Sequence, residues 1–338
     1  MSVVALTRLS QRNLLDWYDE HKRDLPWRST NDPWAILLSE ILLQQTQVSR
    51  GIIYWRRMIE TFPTIQSMAD STVDSVLKAW EGAGYYSRAR RLHALSQTVM
   101  LPAADGGFDG SLPSSYPALL SLPGIGPYTA AAVASIAFGQ PFACVDGNIK
   151  RVMARQEEMV DPSAKEVQVW ADEYLIQRRP GDWNQALMEL GATVCTPQKP
   201  RCHRCPVQSS CKGKNTPTAY PKATKTKVKE VTLWTCVEFD RLGNPIISQR
   251  PQDGLFGGLW GPQLNEGQVP NPSEEQRFVG IVEHKLSHRS MTVHVFTSTR
   301  ASSQRGHNPL EVAMSVLDQK VINLIRANEH VIPSHEKE

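Results

Sequence analysis

The segment Ser121–Gly139 reads SLPGIGPYTAAAVASIAFG. A helix is expected to end near Leu122, and Pro123 to Gly126 to form a tight turn. Pro127, whose missing N–H costs nothing in a first helical turn, starts an alanine-rich helix that Gly139 ends. Two glycines one residue apart, Gly124 and Gly126, let the backbone come close to a ligand. The N–H groups at the start of the following helix have no helical partner and favour a phosphate. Alone, G-x-G is a weak signal and is common in plain turns.

Flanked by two helices and preceded by Leu122-Pro123, the turn matches a helix-hairpin-helix over about residues 114–139. That device grips a DNA backbone without reading its sequence. Working outward, residues up to about 195 read as helix after helix. Asp32-Pro33 gives a cap residue followed by proline at the first helical position. Ser71-Thr72-Val73-Asp74 has capping-box spacing before VLKAW. After the GAGYY turn a helix carrying Arg88, Arg90 and Arg91 starts near Ser87. Two further helices are expected near 163–178 and 182–195. The pattern then changes. GKNTPTAYPKATKTKVKE is polar and basic, and a linker is expected over 216–229. Beyond it VTLWTCVEF, PIISQR, FVGIVEH and MTVHVFTST are short and β-rich, with one helix expected over about 309–327. The expected fold class is therefore multi-domain: an all-α domain over 1–215, the linker, a smaller α+β domain over 230–330 and a tail over 331–338.

The chain has 338 residues, more than one core usually serves, and its 41% hydrophobic content suffices for ordinary globular cores. A net charge of +3 is too mild to argue for a nucleic-acid partner by itself. Local clusters such as SRARRLH, GNIKRVMAR, PQKPRCHRC and KATKTKVK carry that signal instead. Six cysteines in a chain of this size exclude a small disulfide-built secreted scaffold. The first residues become charged too early for a signal peptide, and no apolar run approaches membrane-spanning length. The expectation is a soluble intracellular protein, in the cytoplasm or nucleoid if bacterial, and a monomer.

Two groups of residues can carry chemistry. Cys195, Cys202, Cys205 and Cys211 form C-x6-C-x2-C-x5-C, a loop of four thiolates suited to a metal. Only one close C-x-x-C pair is present, so spacing leaves zinc and an iron–sulfur cluster both open. Cys144 and Cys236 have no such company and are expected to be small buried residues. The second group is a pair of carboxylates. Glu40 sits within WAILLSEILL, where burial raises its pKa and suits it to hold and donate a proton. Asp146, in CVDGNIKR, precedes a helix whose N–H groups, with Lys150 and Arg151, favour its ionised form. One protonated and one ionised carboxylate is the pair that glycosidic cleavage needs. The plainer alternative is a Glu40 bonded to a backbone group and an Asp146 that only makes a turn. The two lie far apart in the chain, so spacing does not show that they meet.

Taken together, LPGIGPYTA, the VDGN aspartate and the C-x6-C-x2-C-x5-C loop occur in the order found in helix-hairpin-helix DNA glycosylases related to endonuclease III, which the first ~215 residues resemble. Within that superfamily LPWR (Leu25–Arg28), LSEILLQQTQ and GAGYYSRAR resemble the MutY family of adenine DNA glycosylases, as does the β-rich second domain. The resemblance implies a [4Fe–4S] cluster on Cys195, Cys202, Cys205 and Cys211. It implies excision of adenine opposite 8-oxoguanine (or guanine) in duplex DNA, by base flipping and hydrolysis of the N-glycosidic bond. Glu40 matches the acid that protonates the adenine ring. Asp146 matches the carboxylate that stabilises the sugar cation, and Asn148 a residue that orders that site. Gln45 and Tyr85 match residues that wedge into the duplex. Trp27, Arg28, Leu43 and Glu189 match the adenine pocket, and Gly124 and Gly126 the grip on the DNA backbone. Tyr128 stands where strand-cleaving relatives have a lysine, which implies a monofunctional glycosylase.

The second domain resembles a Nudix-type fold without the Nudix catalytic box, so nucleotide hydrolysis is not expected. The family's lesion-reading loop is Phe-Ser/Thr-His, and Leu286-Ser287-His288 matches it in two positions. Leucine keeps the bulk of phenylalanine but loses its aromatic face. Two other readings remain: a related mismatch glycosylase acting on thymine in T·G, and a catalytically silent iron–sulfur DNA-binding protein.

Overall fold

A computed structural model describes residues 7–222 and 227–328. The chain divides into two compact units, Met1–Ala69 with Ala94–Thr224, and Asp70–His93 with Lys225–Glu338. In chain order the α-helices are α1 (Arg8–His21), α2 (Pro33–Leu42), α3 (Val48–Thr61), α4 (Ile65–Ala69), α5 (Val73–Ala79), α6 (Ser87–Met100), α7 (Tyr116–Ser121), α8 (Pro127–Ile136), α9 (Gly147–Gln156), α10 (Ala164–Glu173), α11 (Pro180–Thr193) and α12 (Val316–Arg326). The strands are β1 (Lys229–Val237), β2 (Ser248–Gln249), β3 (Trp260–Gly261), β4 (Asn265–Glu266), β5 (Gln276–Lys285) and β6 (Arg289–Ser298).

The first unit is helical, and its central helix is α2. Asp32 caps it by accepting the Trp34 N–H, and every residue from Trp34 to Leu42 is buried. Such a helix draws its stability from packing on all sides rather than from an amphipathic stripe. Around α8, α9 and α11 the core gathers Leu14, Tyr18, Ile149, Met153, Trp183 and Leu187. The alanines Ala131 and Ala132 of α8 are part of it, and their small side chains permit close helix approach. The capping box expected from Ser71 is not formed. Thr72 caps α5 through the Ser75 N–H, whereas a complete box joins Ser163 and Glu166 at the start of α10. Among the described residues no helix is long and apolar enough to cross a membrane.

The expected linker is partly docked. Pro217–Ala219 forms a 3-10 turn, the Tyr220 carbonyl accepts Arg155 Nε at 3.0 Å, and the Lys222 N–H donates to the Val160 carbonyl at 2.7 Å. Its polar composition describes exposure, not detachment.

The second unit holds a four-stranded sheet in the order β4-β1-β6-β5. β1 and β6 are parallel, with Leu233 opposite Val293, while β5 and β6 form an antiparallel hairpin. The β5 register shifts between Phe278 and Gly280, at a glycine whose φ of 155° few other residues adopt. α12 packs on one face through Leu317, Val321, Ile322 and Ile325, against Val231, Val293 and Val295. It starts at Val316, capped by Ser315, later than the expected position near 309. The segment Asp70–His93, expected within the helical domain, packs with this second unit. Lys78 Nζ donates to the Val312 carbonyl at 2.9 Å, and the Met314 N–H donates to Glu81 at 2.9 Å. Arg90 donates to the carbonyls of Gln252 and Gly257. Helical propensity shows that this segment is helix, but not which core its polar ends bond to.

Candidate active site

The expected carboxylate pair shares one cavity in the first unit. The cavity measures ≈ 450 Å³, and Glu40, Asp146, Tyr128, Trp27, Arg28, Leu43, Gln45 and Glu189 are among the residues lining it. That volume lies in the range of small-molecule sites. α2 delivers Glu40 in its last turn, so the side chain leaves a largely apolar helix at the cavity wall. Its Oε2 accepts the Tyr128 hydroxyl at 2.7 Å. Burial raises the Glu40 pKa from 4.5 to about 7, and the charge of Asp146 adds to that. The Tyr128 hydrogen bond and Arg28 oppose it.

Asp146 caps α9. Its Oδ1 accepts the Ile149 N–H at 2.8 Å, and its Oδ2 accepts Asn148 Nδ2 at 2.6 Å. The helix N–H groups with Lys150 and Arg151 are expected to favour its ionised form, but burial is the largest influence and raises its pKa. The bonds from Ile149 and Asn148, with Arg151, work against that rise. Asp146 has two donors on its oxygens and a cation nearby, where Glu40 has one phenol. The hydrogen bonds therefore favour the charge on Asp146, and Glu40 is the carboxyl poised to hold a proton. Asn148 is itself held: Arg151 Nη2 donates to its Oδ1 at 2.8 Å and to the Gly191 carbonyl at 2.8 Å, while Arg151 Nε donates to the Cys195 carbonyl at 2.8 Å.

The opposite wall is built on Glu189. Its side chain is fully buried, not on a solvated helix face. Burial pushes its pKa up, but Arg23 and Arg28 outweigh that and hold it below the ordinary value. Arg23 Nε and Nη2 reach its two oxygens at 2.6 and 2.9 Å, and Arg28 Nη2 donates at 2.8 Å. Arg28 Nε also donates to Gln185 at 3.2 Å, and its guanidinium lies 5.4 Å from the Tyr18 ring centre. Arg23, Gln185 and Met188 were not singled out from the sequence. A buried carboxylate needs cations, and HKRDLPWR offers three, Lys22, Arg23 and Arg28, without showing which of them reach Glu189. Trp27 is buried and meets Trp55 edge-on at 6.0 Å. Leu43 abuts Gly51, where an added Cβ would come within 2.8 Å of its Cδ2. Gln45 stands exposed at the rim with φ of 60°, a conformation that costs free energy in a non-glycine residue.

In the hairpin α7–α8 the two glycines differ. Gly124 has φ of 78° and serves the turn's geometry. Gly126 has an ordinary φ of −100°, and an added Cβ would meet nothing within 4 Å. Among the described residues nothing requires glycine there.

Cys195, Cys202, Cys205 and Cys211 line a second cavity of the first unit, with Val152, Leu190 and Val194 on its apolar side. Among the described residues no three His, Cys, Asp or Glu side chains converge on a point suited to one ion. The thiols surround a space instead, which fits a cluster with an iron for each thiolate. Burial pushes Cys205 up to about 12 and Cys211 up to about 11, with the neighbouring sulfurs adding to both. Bound iron removes that penalty by taking the thiolates as ligands. Arg155, 2% exposed, organises the loop: it donates to Cys195 Sγ at 3.3 Å, the Thr196 carbonyl at 2.8 Å and the Pro197 carbonyl at 2.9 Å. Cys144 is buried as expected and Cys236 half-buried.

The remaining expected site residues lie in the second unit. Ser287 and His288 form the two-residue tip of the β5–β6 hairpin, closed by the Leu286 N–H to the Arg289 carbonyl at 2.7 Å. Both are exposed, and Leu286 is half-buried against the sheet core. The Ser287 hydroxyl lies 2.8 Å from the Tyr85 hydroxyl. Tyr85 has φ of 46°, is 43% exposed, and has the Arg88 guanidinium 5.5 Å from its ring centre.

Comparison with known proteins gives these residues a setting. Residues 38–174 match the HhH-GPD superfamily of base excision DNA repair proteins, and residues 195–211 match the iron-sulfur binding domain of endonuclease III. The chain is 35% identical to an adenine DNA glycosylase of Rattus norvegicus, over 88% of this chain and 71% of that protein. It is also 35% identical to an adenine DNA glycosylase of Homo sapiens, over 87% of this chain and 67% of that protein. Among solved structures, a thermostable thymine-DNA glycosylase superposes with a TM-score of 0.55 at 29% identity, covering 61% of this chain and 94% of the other.

Proposed function

Given that this chain belongs to the adenine DNA glycosylase family of helix-hairpin-helix enzymes, we propose that it hydrolyses the N-glycosidic bond of adenine paired with 8-oxoguanine, or with guanine, in duplex DNA. The observation that carries this is the carboxyl pair in one cavity, with Glu40 raised to about 7 and Asp146 bonded by Ile149 and Asn148. The adenine leaves the stack and enters between Trp27, Leu43 and the Glu189–Arg28 wall. Glu40 gives its proton to a ring nitrogen, so the base departs neutral. Asp146 faces the sugar as positive charge develops on it, and water completes the hydrolysis. Gln45 and Tyr85 enter the duplex, and both already carry the strained backbone that such tips hold. The grip on the DNA backbone falls to Gly124 and Gly126, where open space around Gly126 leaves room for a phosphate. Tyr128 is bonded to Glu40 and carries no amine, so excision is monofunctional.

The second unit, on this proposal, is a Nudix-like domain that reads 8-oxoguanine through Ser287 and His288. The loop cysteines hold a [4Fe–4S] cluster. Excision of thymine from T·G is the second reading, favoured by the thymine-DNA glycosylase likeness. One assay separates them: excision by holoprotein from A opposite 8-oxoguanine, A opposite G, T opposite G and a normal A·T pair. The proposal expects release of adenine from the first two alone. Release of thymine without adenine refutes it.

A further inference from the structure

Gly191 lies near the end of α11, buried against the first turn of α9. A glycine inside a helix is unfavourable relative to alanine, so its presence needs a cause. The cause here is contact. A Cβ at position 191 would sit 2.5 Å from Asn148 Cβ, 3.1 Å from Asn148 Cα and 3.2 Å from Asn148 Cγ. One of these is a backbone atom of the turn that Asp146 caps, and it has no free rotamer with which to yield. Asn148 holds Asp146 Oδ2 at 2.6 Å, and Arg151 Nη2 spans Asn148 Oδ1 and the Gly191 carbonyl.

We propose that Gly191 is a positioning residue for the reaction: its missing side chain sets the spacing between α11 and α9 at which Asn148 can orient the Asp146 carboxylate. The inference rests on the two-carboxylate reading above. Helix propensity predicts that Gly191→Ala stabilises the protein, whereas the contact predicts that it displaces Asn148 and slows the chemical step.

The test compares holoprotein of wild type, Gly191→Ala, Asn148→Gly and the double variant. Single-turnover excision is measured on whichever mismatched base the wild type removes, together with duplex affinity and visible absorbance of the cluster. Gly191→Ala is expected to slow excision about 10- to 100-fold, as misplacement of a reacting group by up to about 1 Å does. Duplex affinity and cluster absorbance stay at wild-type values. In the Asn148→Gly background the contacts to Cβ and Cγ are gone and only the 3.1 Å approach to Cα remains, so the same alanine costs much less. A wild-type rate in Gly191→Ala, or an equal loss in both backgrounds, overturns the inference. If Gly191→Ala does not fold, Asn148→Gly must restore a folded protein, and its failure to do so also overturns it. Wild-type removal of thymine but not adenine strikes the functional reading instead and leaves this comparison measurable.

Discussion

In the first unit, Glu40 and Glu189 are buried, Asp146 nearly so, and each is met by named donors at 2.6–2.9 Å. In the second unit, Ser287 and His288 stand in solvent at a two-residue turn, where the Ser287 hydroxyl meets that of Tyr85 and the His288 carbonyl accepts the Lys229 N–H. The difference follows from the tasks proposed for each. A proton must be stored and a cation stabilised where water is excluded, so those groups are enclosed and their pKa values moved by burial. A lesion that remains in the duplex has to be touched from outside, so its reader sits on an exposed tip where each hydrogen bond is worth little. Mutations should therefore have large effects in the cavity and small ones at the tip.

The largest effect is expected from Glu40→Gln, which keeps the shape and removes the proton. Excision should fall by at least about 100-fold, the low end of general-acid contributions, with single-turnover kinetics as the check. A change confined to substrate affinity would instead give Glu40 a binding role. Next comes Cys205→Ser. It removes one of four thiolates and should cost the protein its brown colour and its absorbance near ~400 nm, while a zinc site would never have had either.

Tyr128→Phe has a smaller effect with a definite sign. The Tyr128 hydrogen bond lowers the Glu40 pKa against burial, so its loss should carry the alkaline limb of the excision profile above pH 7. An unmoved limb means that Glu40 does not set it. The same shift links to stability. Glu40 is raised from 4.5 to about 7 on folding, so its contribution is complete below pH 4.5 and is lost as pH rises through about 7.

At the tip, Ser287→Ala should reduce the preference for 8-oxoguanine over guanine by about fivefold, the equivalent of one ordinary hydrogen bond near 1 kcal/mol. An unchanged ratio removes Ser287 from lesion reading. The smallest effect concerns the sheet beneath the tip. Thr235 is fully buried in β1, and its hydroxyl has no hydrogen-bond partner among the described residues. Thr235→Val should stabilise the second unit by about 1 kcal/mol, seen as a higher denaturant midpoint, without altering excision. A lower midpoint would reveal a bond that the hydroxyl makes.

Much of the first unit was legible because its signals are local. Asp32-Pro33 sets the register that puts Glu40 at the end of α2, and Pro127 starts the helix that brings Tyr128 to it. Four cysteines within one short loop announce a metal group. What was not legible depended on residues distant in sequence. Nothing near Glu189 indicates that Arg23 and Arg28 close on it, and nothing near Gly191 indicates that Asn148 lies against it. The packing of Asp70–His93 with the second unit was hidden for the same reason, since carbonyls of Val312, Gln252 and Gly257 carry no sequence signature. Asp146 shows a subtler limit. Its helix-capping role is written in VDGN, but the burial that raises its pKa comes from the walls around it. Ser287 and His288 could be named only by resemblance, because a two-residue turn reads alike whatever it touches.

The most direct test of the account is the pH dependence of single-turnover adenine excision opposite 8-oxoguanine, for wild type and Glu40→Gln side by side. The wild-type rate is expected to fall as pH rises through about 7, where Glu40 loses its proton, and the residual Glu40→Gln rate to show no such fall. A wild-type rate that continues to rise above that pH, or a Glu40→Gln variant with the full rate and the same profile, would contradict it.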